Sequence, residues 1–259
     1  LIMVGFARFI YKYSNNLWLR VYLFFTLGYF GMAMNTIRQN IAIVILLFSY
    51  DFIKEKNLFK FIITVFIASA FHRTAIIFLL AWPITKLKFS YKTIVTAAVG
   101  GLSLYILFPI VLQIMFRFFP NYQYFLGSSY LDGDIRLASI MNFLVGLSVL
   151  IFGVFTKYHN KNIYTCSKLN TKSGVIVNDA NNMSLFLLVA CSITFISLKF
   201  SLLDRVGEYF FVFTIVFLPN ALNSIRDKNL RSLLSFIIVV LFFVYSTTIQ
   251  IIRPEWNII

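Results

Sequence analysis

Apolar runs of about 18 residues or more recur from one end of this chain to the other, and a helix needs that length to cross a bilayer core. The runs fall near 18–35, 37–53, 94–116, 136–156, 183–200, 206–225 and 232–252, with a partial one at 1–10. They do not alternate apolar with polar residues, which excludes a transmembrane barrel. The expected architecture is all-α: a polytopic integral membrane helical bundle of about eight full spans, forming a single transmembrane domain over 1–259. Composition agrees, since 60% of the residues are hydrophobic, 31 are Phe, and the 12% that are charged are too few to cover a soluble domain. The first residue is Leu1, inside the apolar run "LIMVGFARFIYKY" and with no signal peptide in view, so a missing natural N-terminus is expected.

The polar connections sort into two sets. One reads "YKYSNN", "KEKNLFK", "KLKFSYK", "TKYHNKNIYTCSKLNTK" and "RDKNLR"; the other holds 35–38, the stretch 117–136, the corner at 203–205 and "RPEWNII". Threading the spans makes the two sets alternate, as two sides of a membrane must. Twelve of the thirteen lysines fall in the first set, so the positive-inside rule makes it cytoplasmic, including the loop 157–182. That rule also accounts for the net charge of +14 without nucleic acid as a partner. On the other side the cations are Arg38, Arg73, Arg117, Arg136, Arg205 and Arg253, with Lys199 the sole lysine. Snorkelling at span ends explains some of them, Arg117, Arg136 and Arg253 best. Arginine is also the residue suited to gripping phosphate or carboxylate bidentately.

Residues 58–85 break the pattern. Lysine-rich segments flank them on both sides, so the chain must enter and return on the same side. Twenty-eight residues cannot make two full spans of about 20 each. Two half-spans, roughly 58–71 and 74–85, are expected to form a re-entrant or broken helical hairpin with His72 and Arg73 at its bend. A single tilted helix is the competing reading, and it would reverse every later loop. In the hairpin geometry His72 and Arg73 open toward the side holding Arg38 and Arg205.

Three places carry candidate chemistry. Arg38 opens a span beside Gln39, with Asn35 and Asn40 nearby; the bland reading is a polar helix start in interfacial water. His72 sits next to Arg73, whose charge is expected to keep the imidazole neutral and able to accept a proton. His159, in the lysine-rich loop, has no such context. In "SLLDRVGEYFFVF", Asp204 and Glu208 are four residues apart, and Arg205 and Tyr209 share one helix face. That stretch reads either as an internal salt bridge at a helix start or as an arginine clasped by carboxylates with an edge free for an anion. The outer loop 117–135 carries Tyr122, Tyr124, Tyr130, Phe118, Phe119 and Phe125 with Asp132 and Asp134, a set that suits either an aromatic belt or sugar rings. Cys166 and Cys191 suggest neither a disulfide nor a metal site. No phosphate-binding glycine loop or HExxH is present. Asp51, near the cytoplasmic end, is the only acid well within a span, which counts against an ion-driven transporter.

The segment 38–84, "RQNIAIVILLFSYDFIKEKNLFKFIITVFIASAFHRTAIIFLLAWPI", resembles the core of the EpsG-like family of bacterial exopolysaccharide polymerases, relatives of the Wzy-type O-antigen polymerases. The matching features are Arg38-Gln39 opening a span, the lysine-rich turn 54–60, and the Ala-x-x-Phe-His pattern within 68–75. The likeness continues more loosely through the outer loop and Arg205–Tyr209–Phe210; "RPEWNII" departs from it. The resemblance implies a multi-pass enzyme of the bacterial plasma membrane that joins oligosaccharide repeat units carried on polyprenyl diphosphate. It implies Arg38 and Arg205 as diphosphate ligands, His72 as base or acceptor orienter, Arg73 as auxiliary, and Gln39 and Tyr209 as hydrogen-bonding residues, with Asp204 beside them. No metal or other cofactor is needed, and the pathway's flippase and a chain-length regulator are the implied protein partners. A lipid-linked oligosaccharide flippase and a membrane acyltransferase acting on surface glycans are the rival readings.

Overall fold

A computed structural model describes residues 1–13, 17–118, 137–158 and 179–252. Most of the two long loops, 117–135 and 157–182, lies outside the described residues, with His159, Cys166, Arg136, Arg253 and the outer loop's aromatic and acidic residues from 119 on. The helices are α1 (Ile2–Tyr13), α2 (Leu17–Thr26), α3 (Tyr29–Asn35), α4 (Ile37–Lys54), α5 (Leu58–Phe71), α6 (Ala81–Ile84), α7 (Tyr91–Phe118), α8 (Leu137–Phe155), α9 (Asp179–Ser197), α10 (Asp204–Phe211), α11 (Thr214–Asn223) and α12 (Lys228–Ile252). Two 3₁₀ segments, Arg73–Leu80 and Ser201–Leu203, precede α6 and α10. No strand occurs among the described residues.

Four helices among the described residues are long and apolar enough to cross a membrane: Tyr91–Ile114, Leu137–Phe155, Asp179–Ser197 and Lys228–Ile249. The chain is a helical membrane protein, but the expected eight full spans are corrected to these four. The run 18–35 is cut into α2 and α3 at Gly28, whose φ of +81° lies in the left-handed region that favours glycine. The run 206–225 is cut into α10 and α11 between Phe211 and Thr214. α4 has the length, but Arg38, Asp51 and Lys54 charge it at both ends. Hydropathy averaged over a window passes across such breaks, because a bend in the backbone leaves composition unchanged.

The segment 58–85 folds back on itself. Asn57 caps α5 by accepting from the Lys60 amide at 3.1 Å, after a tight turn in which Lys56 takes a left-handed φ of 54°. α5 rises about 21 Å, and the 3₁₀ segment with α6 about 22 Å, so neither limb reaches the roughly 30 Å of a full core. The reversal is fixed by Phe61, near the start of α5, which meets Phe78 at 6.3 Å and Trp82 at 5.5 Å between ring centroids. A three-residue repeat explains why the returning limb is 3₁₀: Ala75, Phe78 and Ala81 stack along one face and are fully buried.

An aromatic cluster around Phe213 holds these parts together. Phe213 lies at the break between α10 and α11, with Phe9 at 5.4 Å, Tyr50 at 5.3 Å, Phe186 at 4.8 Å and Phe78 stacked at 6.3 Å. Pairs of this kind contribute about 0.5–1.5 kcal/mol each beyond buried area. α9 runs through the middle and is 67% buried along its span, against 11% for α7 and 17% for α12. α7 and α12 therefore present most of their surface outward, where a bilayer would lie.

The described parts of the two sets of connections lie toward opposite ends of α4, about 27 Å apart. At the lysine end, Asp51 accepts from Arg8 and Lys12 at 2.8 Å each and from Tyr13, while Asp179 accepts from Lys54 at 2.7 Å and Tyr50 at 2.9 Å. Asn181 bridges Phe89 and Leu87, and Asn220 donates to the Tyr13 carbonyl at 2.8 Å. The arginine end holds the candidate site.

Candidate active site

α10 is only eight residues long, yet it carries four polar side chains, and three of them are tied to different elements. Asp204, at its start, accepts from Ser139 of α8 and Ser197 of α9, both at 2.5 Å. Glu208 accepts from Tyr29 of α3 at 2.9 Å, and the Tyr209 hydroxyl pairs with that of Thr74 at 2.9 Å. A fourth tether comes from the backbone: Gln39 of α4 donates to the Arg205 carbonyl at 2.8 Å. Asn40, next in sequence, donates to the carbonyls of Met32 and Thr36 and so holds the bend between α3 and α4. α10 is therefore registered against α3, α4, α8, α9 and the hairpin. Arg205, the remaining polar side chain, is left exposed.

His72 ends α5 at the bend of the hairpin and is half-buried. Its ring lies 6.5 Å from that of Tyr209, which is 1% exposed beneath it. Burial, then the charge of Arg205, then that of Arg38, hold the imidazole below its ordinary value of 6.5. Two guanidiniums 167 positions apart in sequence thus act on one imidazole. Among the described residues no carboxylate pairs with Arg38, Arg73 or Arg205. Cations held together without a counter-charge repel one another, and a bound anion removes that repulsion.

A cluster of this kind can bind a polyanion and place a proton acceptor beside it. The EpsG family model matches residues 1–255. The chain belongs to the EpsG family. This is a Wzy-like exopolysaccharide polymerase family, so the resemblance read from 38–84 extends over the whole chain. Neither the curated proteins nor the solved structures contain a match to the chain.

Within this EpsG-family fold, Arg38, His72, Arg205 and Tyr209 come together. At four residues the contacts differ from those expected. The charge lowering the imidazole comes from Arg205 and Arg38, while Arg73, adjacent in sequence, is exposed and bonded to no described residue. Asp204 turns to Ser139 and Ser197, and Glu208 to Tyr29, so neither the internal salt bridge with Arg205 nor the carboxylate clasp on it forms. Gln39, read as hydrogen-bonding sugar or phosphate, is 6% exposed and donates from α4 to the Arg205 carbonyl of α10. The tethers Ser139, Ser197, Tyr29 and Thr74 were not among the candidates. Single hydroxyls in apolar helices carry no sequence signal, although Thr74 follows His72-Arg73 directly.

Proposed function

We propose that this chain joins oligosaccharide repeat units carried on polyprenyl diphosphate into a polymer at the outer face of the bacterial plasma membrane. The reading rests on Arg38 and Arg205, which have no carboxylate partner among the described residues, acting on a half-exposed His72. In the transfer step the acceptor sugar hydroxyl attacks the anomeric carbon of the donor, and its proton passes to His72 Nδ1 or Nε2. The anomeric C–O bond to the diphosphate breaks, and the polyprenyl diphosphate leaves with the bonding electrons. Arg38 and Arg205 bind its oxygens and stabilise the charge that develops there. Guanidiniums supply that charge compensation, so the reaction proceeds without a metal ion. The lysine bias at the other end supports the orientation. The pathway's flippase would deliver the substrate, and a chain-length regulator would act on the product.

The test is complementation of a bacterial strain lacking this gene, with wild type, Arg38→Ala, His72→Ala or Arg205→Ala at matched membrane levels and surface polysaccharide resolved on a gel. Wild type restores long polymer, and the variants leave single repeat units on the surface. Repeat units held on lipid at the cytoplasmic face would instead make the protein a flippase. Polymer of normal length lacking an acyl decoration would make it an acyltransferase.

A further inference from the structure

The arginine end continues into a surface feature that the transfer step does not use. Along its first half α7 lies close against α9: Gly101 faces Ser192, and Tyr105 stacks on Phe195 at 4.9 Å between centroids. Further along, Phe108 meets Phe200 at 5.8 Å between centroids, and an apolar groove lies beside them with Ile196 of α9 in its lining. One wall is Leu104, Phe108, Val111 and Leu112 of α7; the other includes Phe200 and Leu203 of the turn that leads into α10. Every lining side chain is apolar, and the α7 wall extends about 12 Å along the helix. Pro109 lies within that wall, at the kind of position where a helix loses a backbone hydrogen bond.

Two cations bracket the Phe200–Leu203 wall. Lys199 places its ammonium 4.4 Å from the Tyr105 ring centroid, and Arg205 follows two residues after Leu203. Ser201, in the same turn, keeps a buried hydroxyl without a hydrogen-bond partner. The feature is thus amphipathic along its length: a carbon-lined trough on the outward face of the bundle, ending at cations and an unused hydroxyl. A free phosphate has no use for the trough, and a two-chain phospholipid would fill it with one tail while its headgroup met the same cations. A single unbranched-path isoprenoid bearing a diphosphate matches both parts at once.

We infer that the groove between α7 and the Phe200–Leu203 turn seats the first isoprene units of the polyprenyl diphosphate, with the diphosphate delivered directly to Arg205. This rests on the proposed function for the nature of the lipid. Leu104 and Val111 of the α7 wall are exposed, so on this proposal the donor enters sideways with its tail still in the hydrocarbon.

The test uses the full-length protein in phosphatidylcholine vesicles, with a diazirine-tagged farnesyl diphosphate as one photoprobe and a diazirine-tagged palmitoyl lipid as the other. The isoprenoid probe is expected to label 104–112 and 200–203, and excess untagged farnesyl diphosphate to abolish that labelling. Val111→Trp, which fills the trough from an outward-facing position, is expected to lower the labelling about tenfold while the melting temperature holds. Equal labelling of the groove by the palmitoyl probe, undiminished by farnesyl diphosphate, would make it a site for ordinary bilayer lipid and overturn the inference. Polymer synthesis from lipid-linked repeat units is assayed in the same vesicles. Groove labelling without polymer would remove the proposed function and leave the isoprenoid site; polymer without groove labelling would do the reverse.

Discussion

The two ends of α4 handle charge in opposite ways. At the lysine end two acids have cationic and phenolic partners: Asp51 with Arg8, Lys12 and Tyr13, and Asp179 with Lys54 and Tyr50. At the arginine end the acids Asp204 and Glu208 accept from hydroxyls, while Arg38 and Arg205 have no carboxylate partner among the described residues. Both ends are polar and both are built by residues distant in sequence, but among the described residues ion pairs between helices form only at the lysine end. Compensated charge fixes helices in place. Uncompensated charge, held by a scaffold that spends its own acids elsewhere, is available to a ligand.

The sharpest way to break that contrast is to remove the free charge. Arg205→Ala is expected to lower the polymerisation rate about 100- to 1000-fold and leave the melting temperature of the purified protein within error. A matched loss of stability would mean that Arg205 belongs to the scaffold. At the other end the signs reverse. Asp179 is 5% exposed, and Asp179→Ala strands Lys54 and Tyr50, so unfolding in detergent should become easier by about 3 kcal/mol. Activity per folded molecule should hold, and a selective loss of activity would show that the lysine end takes part in the reaction.

Gln39 lies between the two cases. Gln39→Ala frees the Arg205 carbonyl and should cost about 1 kcal/mol in stability. As a positioning residue it should also raise KM for the lipid-linked donor more than it lowers kcat; equal effects on both would argue against a role in presenting Arg205. The next effect is a shift in pH profile. Because His72 is held below 6.5, it protonates at a lower pH than an ordinary histidine, and the acid limb of activity is displaced in that direction. Arg38→Gln removes one of the charges that disfavour protonation, so the acid limb should move up in pH. An unmoved limb would separate His72 from the titration. The smallest effect belongs to Arg73, which touches no described partner: Arg73→Ala should change stability by no more than about 0.5 kcal/mol and leave the acid limb in place. A shift there would restore the sequence neighbour as the source of the field.

What could be read in advance followed from local or averaged properties. The helical membrane class came from runs of apolar residues, the two-sided arrangement of connections from the lysine bias, and the hairpin at 58–85 from a length too short for two crossings. Arg38, His72 and Arg205 were recognisable because cations in so apolar a chain are few. The span count was not recoverable from averages: Gly28 and the break before Thr214 divide apolar runs without changing their hydropathy. The tethers of α10 were hidden for a related reason, since Ser139, Ser197 and Thr74 look like any other small polar residues in a helix.

The sequence by itself determined the solvent of this protein, the alternation of its connections and the short list of charged groups available to it, because those depend on composition over tens of residues. Only the tertiary structure decided which charges meet. Asp204 is bonded to Arg205 in the chain and yet turns to Ser139 and Ser197, while Arg38 lies 34 positions before His72 and acts on its ring. Electrostatic interactions fall off with distance in space, and a bundle whose helices double back and break at single residues makes that distance independent of separation along the chain.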